Sequence, residues 1–143
     1  MDEAFLIRDQ IRLSCKGSHV LIHAAEKHAK AMGIPVCVAV VDEGGNLLAF
    51  SRMDGARVAS VDIALTKARS AARRKMATAD DGRGKFETGV LLAMMSQLSV
   101  TVVPGGLPIV VEGGVVGGIG VSAGTSAQDV EIAEAGIAAL LAG

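Results

Sequence analysis

The chain has no tryptophan and no tyrosine, and aromatic residues make up 2% of its 143 positions. The stacking platforms that hold single-stranded nucleic acid are excluded with them. Charge of one sign is equally scarce. Fourteen basic side chains face fifteen acidic ones, a formal net charge of −1, so no global field draws in nucleic acid or an anionic membrane surface. Two cysteines, Cys15 and Cys37, lie inside apolar periodic segments. They are too few for a disulfide framework and predict a reducing, cytoplasmic setting. The opening Met1-Asp2-Glu3-Ala4-Phe5 is acidic at once and lacks the basic start of a secretion signal. Residues 88–111 carry no charge and are long enough on paper to span a bilayer. Ser96-Gln97 and Pro104-Gly105-Gly106-Leu107-Pro108 interrupt them, so no span is expected.

What remains is one domain over residues 1–143, large enough to bury a core. Apolar positions at Ala4, Ile7, Ile11, Cys15, Ile22, Ala25, Ala29 and Met32 predict a long amphipathic helix over 4–32, loosened at Gly17-Ser18. Residues 36–41 are apolar on both alternating faces, as in a strand covered by layers on each side. Asp42-Glu43-Gly44-Gly45-Asn46 then turns the chain into a second strand over 47–52. A stripe from Val61 to Met76 predicts a helix over 57–76, its basic end complementing the helix dipole. Residues 78–85 read as a surface loop, and 86–98 as a short helix. Three extended runs follow, at 99–103, 107–111 and 115–122. The last segment opens on Ser126-Ala127-Gln128-Asp129, close to a capping box, and predicts a C-terminal helix. The expected fold is therefore a mostly antiparallel sheet of five strands, with helices on both faces.

Several motifs carry chemistry. Gly118-Ile119-Gly120-Val121-Ser122-Ala123-Gly124 looks like a dinucleotide fingerprint, but it lies within and just beyond an antiparallel strand, with no βαβ unit to follow. These glycines read instead as places where another backbone or subunit comes close. His19 and His23 stand four apart on one helical face, the spacing that lets both reach one metal ion or lets one ligate haem iron. Glu26 is the nearest third ligand, and solvated histidines are the plainer alternative. Cys37, mid-strand, reads as a small buried hydrophobe. Arg52-Met53-Asp54-Gly55 places a charged pair where a strand ends, either as a functional display or as a salt bridge fixing the turn. Lys67 shares a face with Ser60 and Ile63 and is a candidate to hold a ligand carboxylate. The cluster from Arg69 to Lys75 reads as a solvated face.

Taken together, Val38-Ala39-Val40-Val41-Asp42 with Gly45, Arg52-Met53-Asp54-Gly55-Ala56, Lys67-Ala68, Pro104-Gly105-Gly106-Leu107-Pro108-Ile109 and Val116-Gly117-Gly118-Ile119-Gly120-Val121-Ser122 resemble the GlcG/HbpS/PduO C-terminal family. The resemblance runs over nearly the whole chain, and Asp129 in the last helix fits it. It implies a profilin-like, three-layer α/β/α fold with a five-stranded antiparallel sheet, in the order α-β2-α-β3-α. It also implies homo-oligomers, commonly octamers, and members that bind haem in haem breakdown, iron handling or support of cobalamin-dependent pathways. By position, Arg52, Asp54, Lys67, Pro104, Gly105 and Gly106 become ligand-binding candidates. The chain departs from the family's usual pattern at Ser70, Arg74 and Ala123, so the segment from 70 to 98 is where a pocket would differ.

A haem site wants an apolar slot, an iron ligand and cations for two propionates. His19 or His23 supplies the ligand on this reading, with Arg52 or Lys67 for a propionate. The competing reading is a small-molecule enzyme or accessory protein of a catabolic operon. There Arg52 and Lys67 would hold an organic anion, and Asp42 or Asp54 would move a proton. A third reading is a bland assembly protein packed through its glycines.

Overall fold

A computed structural model describes residues 1–78, 88–97 and 100–143. After a short 3-10 turn at Glu3–Phe5, the elements are α1 (Cys15–Ala31), β1 (Cys37–Asp42), β2 (Leu47–Arg52), α2 (Ser60–Arg74), α3 (Thr88–Gln97), β3 (Gly106–Val111), β4 (Gly114–Ser122) and α4 (Ser126–Ala142). The strands form one sheet in the order β2-β1-β4-β3, every neighbour antiparallel.

The apolar run of β1 behaves as its composition demands. Val36, Val38 and Val40 pack with Leu21, Ile22 and Ile132 from α1 and α4, while Cys37, Ala39 and Val41 pack with Ala64, Ala68 and Ala72 of α2. Each large side chain on these faces contributes about 1.5–3 kcal/mol by leaving water. The three layers are therefore α1 and α4, the sheet, and α2. The tight approach of α2 explains the glycines of β4. A side chain on Gly118 would strike the carbonyl oxygen of Ala68, and one on Gly120 that of Ala64. Alanines spaced by four on the helix meet glycines spaced by two on the strand, leaving no room there for a phosphate.

The sheet has four strands among the described residues, not five. Residues 100–103 are β-prone, yet their polar backbone groups are met by side chains rather than by a ladder. Ser70 Oγ donates to the Thr101 carbonyl and accepts from its N–H, both at 3.2 Å. Thr78 Oγ1 donates to the Val103 carbonyl at 2.7 Å and accepts from Gly106 N–H at 3.0 Å. Ser99 lies outside the described residues, as do 79–85 of the expected loop and both ends of the expected 86–98 helix. Thr78, expected on the surface, is buried.

The first helix also differs: it begins at Cys15, eleven residues later than the periodicity predicts. Ser14 caps it, its side chain accepting from Gly17 N–H, and the helix runs through Gly17-Ser18 unbroken. Asp9, in the left-handed region at φ 59°, breaks any helix that would run through it from Ala4. The stripe continues in sequence, but Ile7 stays 84% exposed because no layer lies beneath it. At the other end of the chain the cap sits one residue earlier than expected, with Thr125 and Gln128 forming a reciprocal capping box. The basic end of α2 is not merely solvated. Arg69 Nε donates to Gly45 O at 3.0 Å and Arg73 Nε to Gly44 O at 2.8 Å, clasping the β1–β2 turn.

Candidate functional site

The predicted site residues fall into two places. The first is interior. Lys67 is 1% exposed and donates from Nζ to Asp129 Oδ2 at 2.9 Å and to the Val121 carbonyl at 2.8 Å. The other carboxylate oxygen of Asp129 accepts from Gly124 N–H at 2.9 Å. Burial of two charges is tolerated only when they are paired and their remaining positions are hydrogen-bonded, which is the arrangement here. The 104–106 turn closes over the pair. Gly105 stands at φ 123°, and a side chain there would come within 2.9 Å of Lys67 Nζ. A side chain at Gly106 would strike the Lys67 carbonyl oxygen.

The structure brings Lys67, Gly105, Gly106 and Asp129 together. The carboxylate that Lys67 holds, however, is the chain's own Asp129, so it joins α2, β4 and α4. Ser70, noted in the sequence only as a departure from the family pattern, and Thr78, expected in a surface loop, fasten the strand-like segment in front of this turn. Their signal was weak, because a hydroxyl on an alanine-rich helix face reads as filler until its distant partner is known.

The second place is at the surface. The exposed side of α1 and the turn after β2 enclose an open groove of about 550 Å³ lined by His23, Glu26, Lys27, Lys30, Met53 and Asp54. Positions 23, 26, 27 and 30 share one helical face, and His19 extends that face by a turn. The imidazoles of His19 and His23 are both exposed, with ring centres 6.2 Å apart and planes 29° from parallel. Glu26 is fixed from behind by the hydroxyl of Ser51 on β2. Among the described residues Lys27, Lys30 and Asp54 form no ion pair.

The turn carrying Asp54 is set by backbone, not by an Arg52–Asp54 bridge. Met53 N–H donates to Val36 O and Ala56 N–H to Met53 O, each at 3.0 Å, with Gly55 at φ 90°. Arg52 is exposed at the end of β2 and is not part of the groove lining. Its guanidinium lies close enough to Cys37 to favour the thiolate, but burial outweighs it and pushes the thiol pKa up. Cys37 therefore stays a neutral, inert thiol, as its mid-strand position predicts. Asp42 accepts from the N–H groups of Gly44 and Asn46 at 2.9 Å, so its carboxylate organises the hairpin turn. Among the described residues no three His, Cys, Asp or Glu side chains converge as a metal cage.

An antiparallel sheet covered on both faces, a buried lysine–aspartate pair under a glycine turn and a histidine-bearing helix beside an open groove define a small α/β/α domain of one kind. The chain belongs to the family described as haem degrading protein HbpS-like, whose pattern matches residues 13–138. It is 38% identical over 116 residues to an uncharacterized 15.0 kDa protein of the dhaT-dhaS intergenic region of Citrobacter freundii, across 80% of this chain and 82% of that one. It is 36% identical over 122 residues to the protein GlcG of Escherichia coli strain K12, across 81% and 85%. The crystal structure of a PduOC–haem complex matches with a TM-score of 0.81 at 33% identity, across 90% and 95% of the two chains. Haem binding is thus a property found within this fold family. No helix among the described residues is long and apolar enough to cross a membrane.

Proposed function

We propose that this protein binds haem in the groove between α1 and the turn after β2, with His23 as the iron ligand and His19 as the alternative one turn away. The observation that carries the reading is the composition of that groove. An exposed imidazole, two ammonium groups without ion-pair partners among the described residues and the thioether of Met53 line one open space. Haem asks for these elements: a nitrogen ligand, cations for two propionates and an apolar contact for the ring. Lys27 and Lys30 take the propionate role expected of Arg52 or Lys67, since Lys67 is committed to Asp129 and Arg52 lies outside the lining.

Bound haem would supply the redox and ligand chemistry of its iron. The chain's own residues orient it and neutralise its carboxylates. Glu26, held by Ser51, and Asp54 place carboxylates on the same groove wall and offset part of the charge of Lys27 and Lys30.

The groove is open on one side, so one chain alone cannot cover both faces of a macrocycle. Self-association into a homo-oligomer, with an octamer as the expected form, would complete it. The unpaired Cys15 and Cys37 support a cytoplasmic setting. A role in haem or iron handling, or in cofactor support of a catabolic pathway, follows from this binding. The organic-anion alternative has less support, because of its two cations only Arg52 remains open to solvent.

Titration with haemin, followed by the Soret band, tests the reading. Wild type should give a saturable, red-shifted band that His23→Ala loses or weakens at least tenfold, with His19→Ala having the smaller effect. A broad, unsaturable spectrum identical in all three proteins would overturn it.

A further inference from the structure

The geometry points to a bidentate site for a divalent transition-metal ion, held by His19 and His23 and completed by water. The inference does not rest on the haem reading.

Three observations support it. The two residues stand one helical turn apart, so their Cβ atoms lie on the same face at about 5–6 Å, a fixed platform that costs the backbone nothing to form. Both rings are exposed, with 6.2 Å between their centres. Two imidazoles sharing one ion at about 2.0–2.1 Å per bond bring their centres to roughly 5 Å. Turning the two solvent-facing rings out of their stacked arrangement brings one nitrogen of each toward a shared point without moving α1. The surroundings are also permissive: Glu26 and Asp54 lie in the groove beside His23 and add negative charge against Lys27 and Lys30.

The donor set selects the ion. With no third His, Cys, Asp or Glu converging among the described residues, the remaining positions fall to water. Two imidazole nitrogens with water in the other positions suit the tetragonal preferences of Ni(II) and Cu(II) better than the closed tetrahedron of structural zinc, and they do not suit Mg(II). An ion shared by both rings leaves neither free for haem iron, so the two occupants would exclude one another.

Calorimetric titration of the haem-free protein with Ni(II), which does not oxidise the exposed Cys15 thiol, tests the site, with Mg(II) as control. The expected result is one Ni(II) per chain, with affinity reduced about tenfold or more by His19→Ala and equally by His23→Ala. His28→Ala and Cys15→Ser should leave it unchanged, and all variants should keep the helical circular dichroism of wild type. Loss of binding in only one histidine variant, loss in Cys15→Ser, or no saturable binding to wild type would each overturn the site.

Discussion

The interior lysine and the groove lysines show how one side chain serves two purposes. Lys67 is sealed beneath the 104–106 turn, with its ammonium spent on Asp129 and a carbonyl of β4. Lys27 and Lys30 sit on the open face of α1 with no partner among the described residues. A buried charge is affordable only when the chain itself supplies the counter-charge, whereas an unpaired cation in a groove remains free for a ligand. The family motifs around Lys67 therefore hold the scaffold together, and the proposed binding surface lies beside Met53 and Asp54.

This contrast can be broken experimentally. Lys67→Met strands the Asp129 carboxylate in the interior and should cost about 3–5 kcal/mol, measured by urea denaturation. Adding Asp129→Leu should restore most of that loss. If Lys67→Met instead lost haem affinity at unchanged stability, the division between scaffold and site would fail.

Gly120→Ala drives a methyl group into the α2 backbone and should cost about 1–3 kcal/mol or more in the same assay. Ser70→Ala leaves both the N–H and the carbonyl of Thr101 without their side-chain partner and should cost about 1–3 kcal/mol. Lys27→Ala combined with Lys30→Ala, by contrast, should change stability by no more than about 0.5 kcal/mol while weakening haemin binding.

The smallest effect concerns pH. Burial raises the Cys37 pKa in the folded state, so the thiol's contribution is complete below the ordinary cysteine pKa and is lost as pH rises through the folded-state value. Replacing Cys37 by Ala should flatten the alkaline limb of the stability–pH curve.

Much of this was legible in sequence, and the exceptions have physical causes. The two-faced apolar run of β1, the hairpin to β2 and the C-terminal helix followed from local patterns that tertiary structure did not override. The pairing of His19 with His23 was also legible, because four-residue spacing alone puts two side chains on one face. The stripe through Ala4, Ile7 and Ile11 misled because periodicity states which face a helix could bury, not whether anything lies beneath it. The run at 100–103 misled because its hydrogen-bond partners are the hydroxyls of Ser70 and Thr78, more than twenty residues away. Lys67 could be placed on a helix but not assigned, since Asp129 stands 62 residues further along. In each case the missing fact was a long-range partner, and the groove was no different. Its floor depends on a turn after β2 being brought beside α1.

The most direct test of the account is a crystal structure of the haemin-loaded protein. Iron should be bonded to the imidazole of His23, or of His19 one turn away, with the propionates toward Lys27 and Lys30 and the Lys67–Asp129 pair undisturbed. Haem ligated by any other residue, or seated against Lys67 with the pair broken, would contradict it.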